Sequence, residues 1–358
     1  MPPPAEQSSP GHAANITRLA PSPTGALHLG NARTFLLNWA LARRNDWRIV
    51  LRIEDLDGPR IKPGSVESII STLTWLGIDF DTGPLIQSHD LAPYIAAMHQ
   101  LARRGLIYSS EQTRTEILDA ASAPQQGSGE ARFAADQRPP RNALDSAGRP
   151  VWATGFDQTD AADTTRAWRF ASPLGPEGIV EFDDLFAGPQ RIAPSETIGD
   201  FVVWTKRATP AYQLAVVVDD ARQGITRIVR ADDLLDSAAR QVLLYRALGL
   251  DCVPRYCHLP LIVGPDGRRL AKRHGDSRVD TYRDLGVPPE AIIGLAAWLS
   301  GLGPLEPIAG SALRARLDLP EHQAASVAQL ELGTLAGQPR SAAVFTPELH
   351  AWLISQVR

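Results

Sequence analysis

The stretch PSPTGALHLGN, residues 21–31, sets a loop broken by proline and glycine directly ahead of a helical run, with His28 and Gly30 at the junction. A helix N-terminus exposes unpaired N–H groups and the positive end of the helix dipole, so such a junction suits a phosphate. Alternatively, His28 does no more than cap the helix. A second basic element, RLAKR at 269–273, stands far along the chain. On one nucleotide-binding sheet the two would hold a triphosphate from two sides, His28 and backbone N–H groups on one and Lys272 on the other. As negative charge develops during attack on the α-phosphorus, a pre-placed imidazole and ammonium stabilise it more than they stabilise the ground state. Taken alone, Lys272 reads as a solvated surface lysine.

These groups need a scaffold, and the apolar pattern supplies one. ITRLA reads as a short strand, residues 31–44 as a helix and WRIVLRIED as a buried strand, since VLRI is apolar and β-branched between polar edges. Strand, phosphate-suited loop, helix and strand in that order form a βαβ unit, which favours a parallel sheet of the Rossmann type. EDLD, residues 54–57, then falls at the carboxyl end of the second strand, where open α/β sheets bind ligands. Helical periodicity recurs at 65–77 and 91–107. From about 120 to 165 the chain turns to Ala, Gly, Ser, Gln, Asp and Pro with little period, as expected of an inserted, loop-rich segment. GIVEFDDLF, FVVWT, AYQLAVVVDD and TRIVRADDLL are predicted as strand-bearing runs, LAVVVD as a strand covered on both faces. A helix is expected over 236–248, a strand, turn and basic loop in HLPLIVGPDGRRLAKRHG, and helices beyond 290. The resulting division is a disordered 1–15, two halves of a catalytic domain at 16–119 and 166–275, the irregular insertion at 120–165, and a short helical C-terminal region at 276–358.

Composition limits the class. A hydrophobic share of 44% is that of a globular protein, and a net charge of −4 argues against a chain that coats nucleic acid indiscriminately. It leaves room for a local basic face drawn from Arg43, Arg44, Arg103, Arg104, Arg268, Arg269, Lys272 and Arg273. Each of those pairs is otherwise a solvated surface feature. No apolar run approaches the roughly 20 residues of a membrane-spanning helix, and the N-terminus lacks the basic and apolar regions of a secretory signal. The expectation is a cytoplasmic protein with no membrane partner. The two cysteines, Cys252 and Cys257, fit a reducing compartment and make neither a disulfide framework nor a zinc site, and the adjacent His258 is expected to be structural.

PSPTGALHLGN and RLAKR resemble the two signature sequences of class I aminoacyl-tRNA synthetases. RLAPSPTGALHLGNART, LRIEDLD, YQLAVVVDDARQGITRIVRADDLL, RYCHLPLI and RLAKRHGD are similar, in order and roughly in spacing, to the glutamyl branch. The resemblance implies an ATP-dependent ligase in which His28, Gly30, Asn31 and Lys272 serve ATP, His28 and Lys272 being the catalytic pair. It further implies that Arg18, Ala20, Ser22, Glu54, Tyr212 and Arg230 bind L-glutamate. Arginine can grip a carboxylate through two parallel hydrogen bonds while Glu54 suits an ammonium. Such a site should reject glutamine, which would leave an arginine unpaired. Asn31 stands where many class I enzymes have histidine, and Arg269 and Ala271 replace a usual lysine and serine.

Only residues 273–358 follow Lys272, short of the anticodon-binding domain of full-length glutamyl enzymes. The wording YQLAVVVDDA with QGIT is similar to the short form of the branch. That form implies activation of glutamate with ATP and Mg2+, then attack of a hydroxyl of the queuosine cyclopentene ring of tRNA(Asp) on the adenylate, by a monomer. The alternatives are a short enzyme charging the 3′ end of tRNA(Glu), and a catalytically silent paralogue that binds tRNA or an amino acid. Many relatives carry a zinc site whose cysteines are replaced here by Ser110 and Gln112 of YSSEQTR, so no zinc is predicted.

Overall fold

The computed structural model describes residues 15–110, 133–141, 143–144, 148, 150–152, 155–268, 270, 277–317 and 343–357. Lys272, Arg269, Ala271, Arg273 and Gln112 lie outside the described residues, as do 1–14 and part of the 120–165 segment.

The expected βαβ unit is present. Strand β1 (Ile16–Leu19) leads through the proline-rich loop into helix α1 (Leu29–Arg44), and strand β2 (Arg48–Ile53) returns parallel to β1 with Leu19 opposite Leu51. Helix α1 begins at Leu29, two residues before the expected start, and Arg43 and Arg44 sit in its last turn, where cations complement the dipole. Helix α2 (Ser65–Trp75) and strand β3 (Thr82–Ile86) continue the winding, so the sheet runs β1–β2–β3. Helix α3 (Ala92–Arg103) is shorter than expected because strand β4 (Ile107–Ser110) follows after a turn at Gly105. Strand β4 pairs antiparallel with β5 (Ala167–Phe170); a separate antiparallel hairpin of β6 (Val180–Asp184) and β7 (Gly188–Ile192) follows in the chain, and β8 (Phe201–Trp204) then pairs antiparallel with the other edge of β5.

The run LAVVVD is helical, contrary to the strand expectation. It lies in α4 (Tyr212–Arg222), where every residue from Tyr212 to Asp220 is buried. A helix covered on all sides loses the polar face that gives a 3.6-residue period, and an apolar run is then indistinguishable from a covered strand. Strand β9 (Arg227–Ala231), helix α5 (Leu235–Leu248) and strand β10 (Arg255–Leu259) complete a second parallel pair. It adjoins the first where the Thr226 amide donates to the Ile16 carbonyl at 2.9 Å. The sheet therefore changes winding direction between β1 and β9. C-terminal helices include α6 (Val279–Asp284) and α7 (Pro289–Trp298).

Period-two alternation assigns the faces. Leu19, Ile49, Leu51, Ile53, Val229, Cys257 and Leu259 join one core with α1, α2 and the C-terminal helices. Val50, Ile228 and Tyr256 join a second core with α3, α4 and α5. Because successive strand residues point to opposite faces, Arg18, Arg52, Arg230 and His258 are sent to the face covered by α4 and α5. Of the 120–165 segment, Phe156 is fully buried, its ring 5.3 Å from that of Trp168 and 5.4 Å from that of Trp204. Among the described residues of that segment, Phe156 and Ala161 join the second core.

Candidate active site

A pocket of about 870 Å³ opens at the carboxyl ends of β1, β2 and β9, the crevice at which a doubly wound sheet binds ligands. Arg18, Ala20, Ser22, His28, Gly30, Asn31, Glu54, Tyr212 and Arg230 all line it. Nine positions spread over more than 200 residues of sequence thus converge. Lys272 lies outside the described residues; Arg268 and Leu270, close before it, line the pocket.

The phosphate-suited end is built locally. The loop before α1 is pinned by the Glu54 amide, which donates to the Pro21 carbonyl (3.0 Å), and by the Ser65 hydroxyl, which donates to Pro23 (2.7 Å). His28 precedes the helix in an extended conformation and its carbonyl accepts the Ala32 amide, but its side chain makes no capping bond. The imidazole instead lies over the first turn: a Cβ on Gly30 would sit 3.2 Å from its Cε1 and Nδ1. A side chain at position 30 would therefore require the His28 ring to give way by a few tenths of an ångström. Leu29 donates to Ser277 and Val279 donates to Leu27, which fastens the chain just after the RLAKRHGD stretch to this junction.

Behind the opposite wall lies a buried ionic cluster. Arg52 is fully buried; its Nη1 is 2.7 Å from Asp220 and its Nη2 is 2.9 Å from Glu54. Arg18 Nε is 3.3 Å from the same Asp220. Asp219 accepts from Gln87 and from the Tyr94 hydroxyl, each at 2.8 Å. Burial raises the Glu54 carboxyl above its ordinary range against the pull of Arg52 and Arg18, so an incoming cation would be welcomed. Burial also raises the Tyr212 phenol, which therefore stays a neutral donor and acceptor.

Arg230 is held rigidly. Its Nε donates to His258 Nε2 (2.9 Å), Nη1 to Gln241 (3.0 Å) and Nη2 to the Leu234 carbonyl (3.2 Å). One N–H on each Nη remains beyond those three bonds. Gln241 is in turn tied to Gln213, and Gln213 to Ser237. His258 is a buried core histidine, as expected, but it also touches a pocket arginine. Arg33, a pocket residue not singled out beforehand, donates to Ser300 and the Pro260 carbonyl, and burial lowers its pKa to about 10.

Sequence reasoning missed Arg52, Asp219, Asp220, Gln213 and His258 as supports of the site. Their signal was available: a charged or polar residue buried inside an apolar strand or helix must have a partner. Of the proposed basic face, Arg43 is engaged by Asp79 and Asp81, and Arg104 donates to the Ala247 carbonyl. Ser110 ends β4, and among the described residues no group of three or more His, Cys, Asp or Glu is arranged to hold a metal. Among the described residues no helix is long and apolar enough to cross a membrane.

Comparison with known proteins shows the family and the fold. Residues 15–304 match the family of tRNA synthetases class I (E and Q), catalytic domain. A protein of Rhodopirellula baltica named glutamyl-Q tRNA(Asp) synthetase is 43% identical over 294 residues, covering 81% of this chain and 86% of its own length. One of the same name from Symbiobacterium thermophilum is 44% identical over 293 residues, covering 80% and 86%. Among solved structures, the glutamate tRNA ligase of Elizabethkingia meningosepticum in complex with its amino acid superposes with a TM-score of 0.70 at 26% identity, over 95% of this chain and 69% of that one.

Proposed function

The chain belongs to the class I tRNA synthetases for glutamate and glutamine, and we propose that it activates L-glutamate with ATP and transfers it to the queuosine base of tRNA(Asp). The observation that carries this is the convergence of Arg18, Glu54, Tyr212 and Arg230 in one pocket whose other end is the N-terminus of α1. The name shared by relatives 43–44% identical to this chain supports the acceptor.

In the first step the side-chain carboxylate of glutamate is gripped by Arg18 and Arg230, with Tyr212 beside them, and its ammonium faces Glu54. Ala20 and Ser22 line the amino-acid end. ATP, as its Mg2+ complex, lays its phosphates against His28, Gly30 and Asn31. The α-carboxylate attacks the α-phosphorus, a glutamyl-adenylate forms and pyrophosphate leaves. Lys272 neutralises charge on the departing phosphates; Leu270 and Ser277 bracket its segment at the pocket and at Leu29. No protein nucleophile is required, so acceleration comes from orientation and charge stabilisation. In the second step a hydroxyl of the queuosine cyclopentene ring attacks the adenylate carbonyl and AMP leaves. An unstacked anticodon base entering a pocket is how proteins read single-stranded RNA. With Ser110 and Gln112 in place of cysteines, we expect activity without zinc, from a monomer located in the cytoplasm.

The test is exchange of labelled pyrophosphate into ATP with glutamate alone, followed by transfer of labelled glutamate to tRNA(Asp) with and without queuosine. Glutamate-dependent exchange in the absence of tRNA, and transfer confined to the queuosine-containing tRNA, are expected. Exchange only with tRNA(Glu), with the label on the 3′ end, would replace this function with the short tRNA(Glu)-charging enzyme. No exchange under any condition would leave the silent binding paralogue.

A further inference from the structure

Arg230 is backed by two buried side chains that do not line the pocket and take no part in the chemistry above. His258 stands beside it in register on β10, with its Nε2 2.9 Å from Arg230 Nε and its Nδ1 2.6 Å from Asp184 Oδ2. Asp184 ends strand β6, which belongs to the separate hairpin. Its Oδ1 accepts the backbone N–H groups of Phe186 (3.0 Å), Ala187 (2.8 Å) and His258 (3.1 Å). His258 and Asp184 are fully enclosed.

The direction of each hydrogen bond follows from what the groups can do. An arginine Nε–H only donates and an ionised carboxylate only accepts. Between them the imidazole must carry its proton on Nδ1 and present a lone pair at Nε2. It can do so only as the neutral ring, and burial lowers the His258 pKa to about 4. Burial alone would raise the Asp184 carboxyl, but the His258 ring and the backbone donors bring it below its ordinary value. The Tyr256 ring lies nearly parallel to that of His258, with centroids 5.8 Å apart.

We propose that Asp184 and His258 are positioning residues that fix the tautomer and the guanidinium plane at Arg230, and so set the affinity for glutamate and its preference over glutamine. This rests on the assignment of the pocket to glutamate. The device resembles the orienting carboxylate of a hydrolase triad in logic, but here the imidazole moves no proton and only aims a cation.

Asp184→Asn separates positioning from folding. The amide oxygen can keep the three backbone donors at Oδ1, and the His258 N–H loses only its second acceptor at Oδ2 (3.2 Å), while the amide nitrogen donates to Nδ1 and drives the ring proton to Nε2, where it opposes the Arg230 N–H. His258→Gln places an amide oxygen where Nε2 was and restores an acceptor for Arg230. The assay is pyrophosphate exchange by the full chain, with glutamate, glutamine and ATP each titrated, and with Tm recorded.

The loss of one hydrogen bond that orients a charged group is expected to raise KM for glutamate roughly tenfold or more in Asp184→Asn. Discrimination against glutamine should narrow, KM for ATP should stay within about twofold, and His258→Gln should recover most of the glutamate affinity. A wild-type glutamate KM and unchanged glutamine discrimination in Asp184→Asn would overturn the proposal. So would a parallel rise in both KM values with a lowered Tm, which marks a merely structural pair. Wild-type exchange supported by glutamine or aspartate and not by glutamate would instead overturn the glutamate assignment itself, and the positioning role with it.

Discussion

Arg52 offers the sharpest test of how the site is built. It is fully buried between Asp220 (2.7 Å) and Glu54 (2.9 Å), with Asp219 at 4.0 Å. Burial alone would lower its pKa, and Asp220, Glu54 and Asp219 reverse that, so the guanidinium stays charged. Arg52→Met removes the cation and keeps the apolar stem, leaving three buried carboxylates with Arg18 as their nearest buried counter-charge. Removing one partner of a buried pair costs about 3–5 kcal/mol, a large part of the about 5–15 kcal/mol that holds a typical domain together. Urea unfolding followed by circular dichroism should show that loss. Asp220→Asn should also destabilise, and the double variant should cost less than the sum of the two by more than about 1 kcal/mol, since each change removes the charge the other leaves stranded. A loss below about 1 kcal/mol in Arg52→Met, or additivity within about 0.5 kcal/mol, would refute the account of a charge-balanced wall behind Glu54.

Three further outcomes are expected. Gly30→Ala puts a methyl 3.2 Å from the His28 ring; the helix should gain slightly, by up to about 1 kcal/mol, while pyrophosphate exchange falls on the order of tenfold as the imidazole is displaced. Wild-type exchange in this variant would exclude a seat for His28 over the first turn. Lys272→Ala should lower adenylate formation by about 100-fold or more with Tm unchanged, and an active variant would remove the proposed phosphate clamp. His258 has its pKa lowered by burial from 6.5 to about 4; between those values the unfolded chain binds the additional proton, so stability rises with pH across the window and is lost as pH falls through it. The difference approaches about 3 kcal/mol. His258→Gln should lack that part of the pH slope in denaturation measured from about pH 7 down to about pH 4, and an unchanged slope would contradict a buried neutral ring.

Much was legible in the residues alone, for reasons of local physics. The apolar, β-branched run VLRI between polar edges marked a buried strand and ITRLA a short one, the proline-rich loop ahead of His28 marked a helix start, and their order implied a parallel sheet with EDLD at its ligand-binding edge. Resemblance of the same stretches then supplied the pocket residues, and nine of them do share one cavity. What the sequence could not decide depended on surroundings. LAVVVD is a helix that the sequence could not distinguish from a strand, because burial of every residue from Tyr212 to Asp220 erases the period that separates the two. Arg52, Asp219 and Asp220 became a compensated cluster only when α4 packed across β1 and β2, since a charge inside an apolar run shows that a partner exists but not which one. His258 could be placed in the core from its apolar neighbours. That its ring would stand between Asp184 of a distant hairpin and Arg230 of the adjacent strand was decided by strand register and tertiary packing, because only those bring residues 184, 230 and 258 within hydrogen-bond distance.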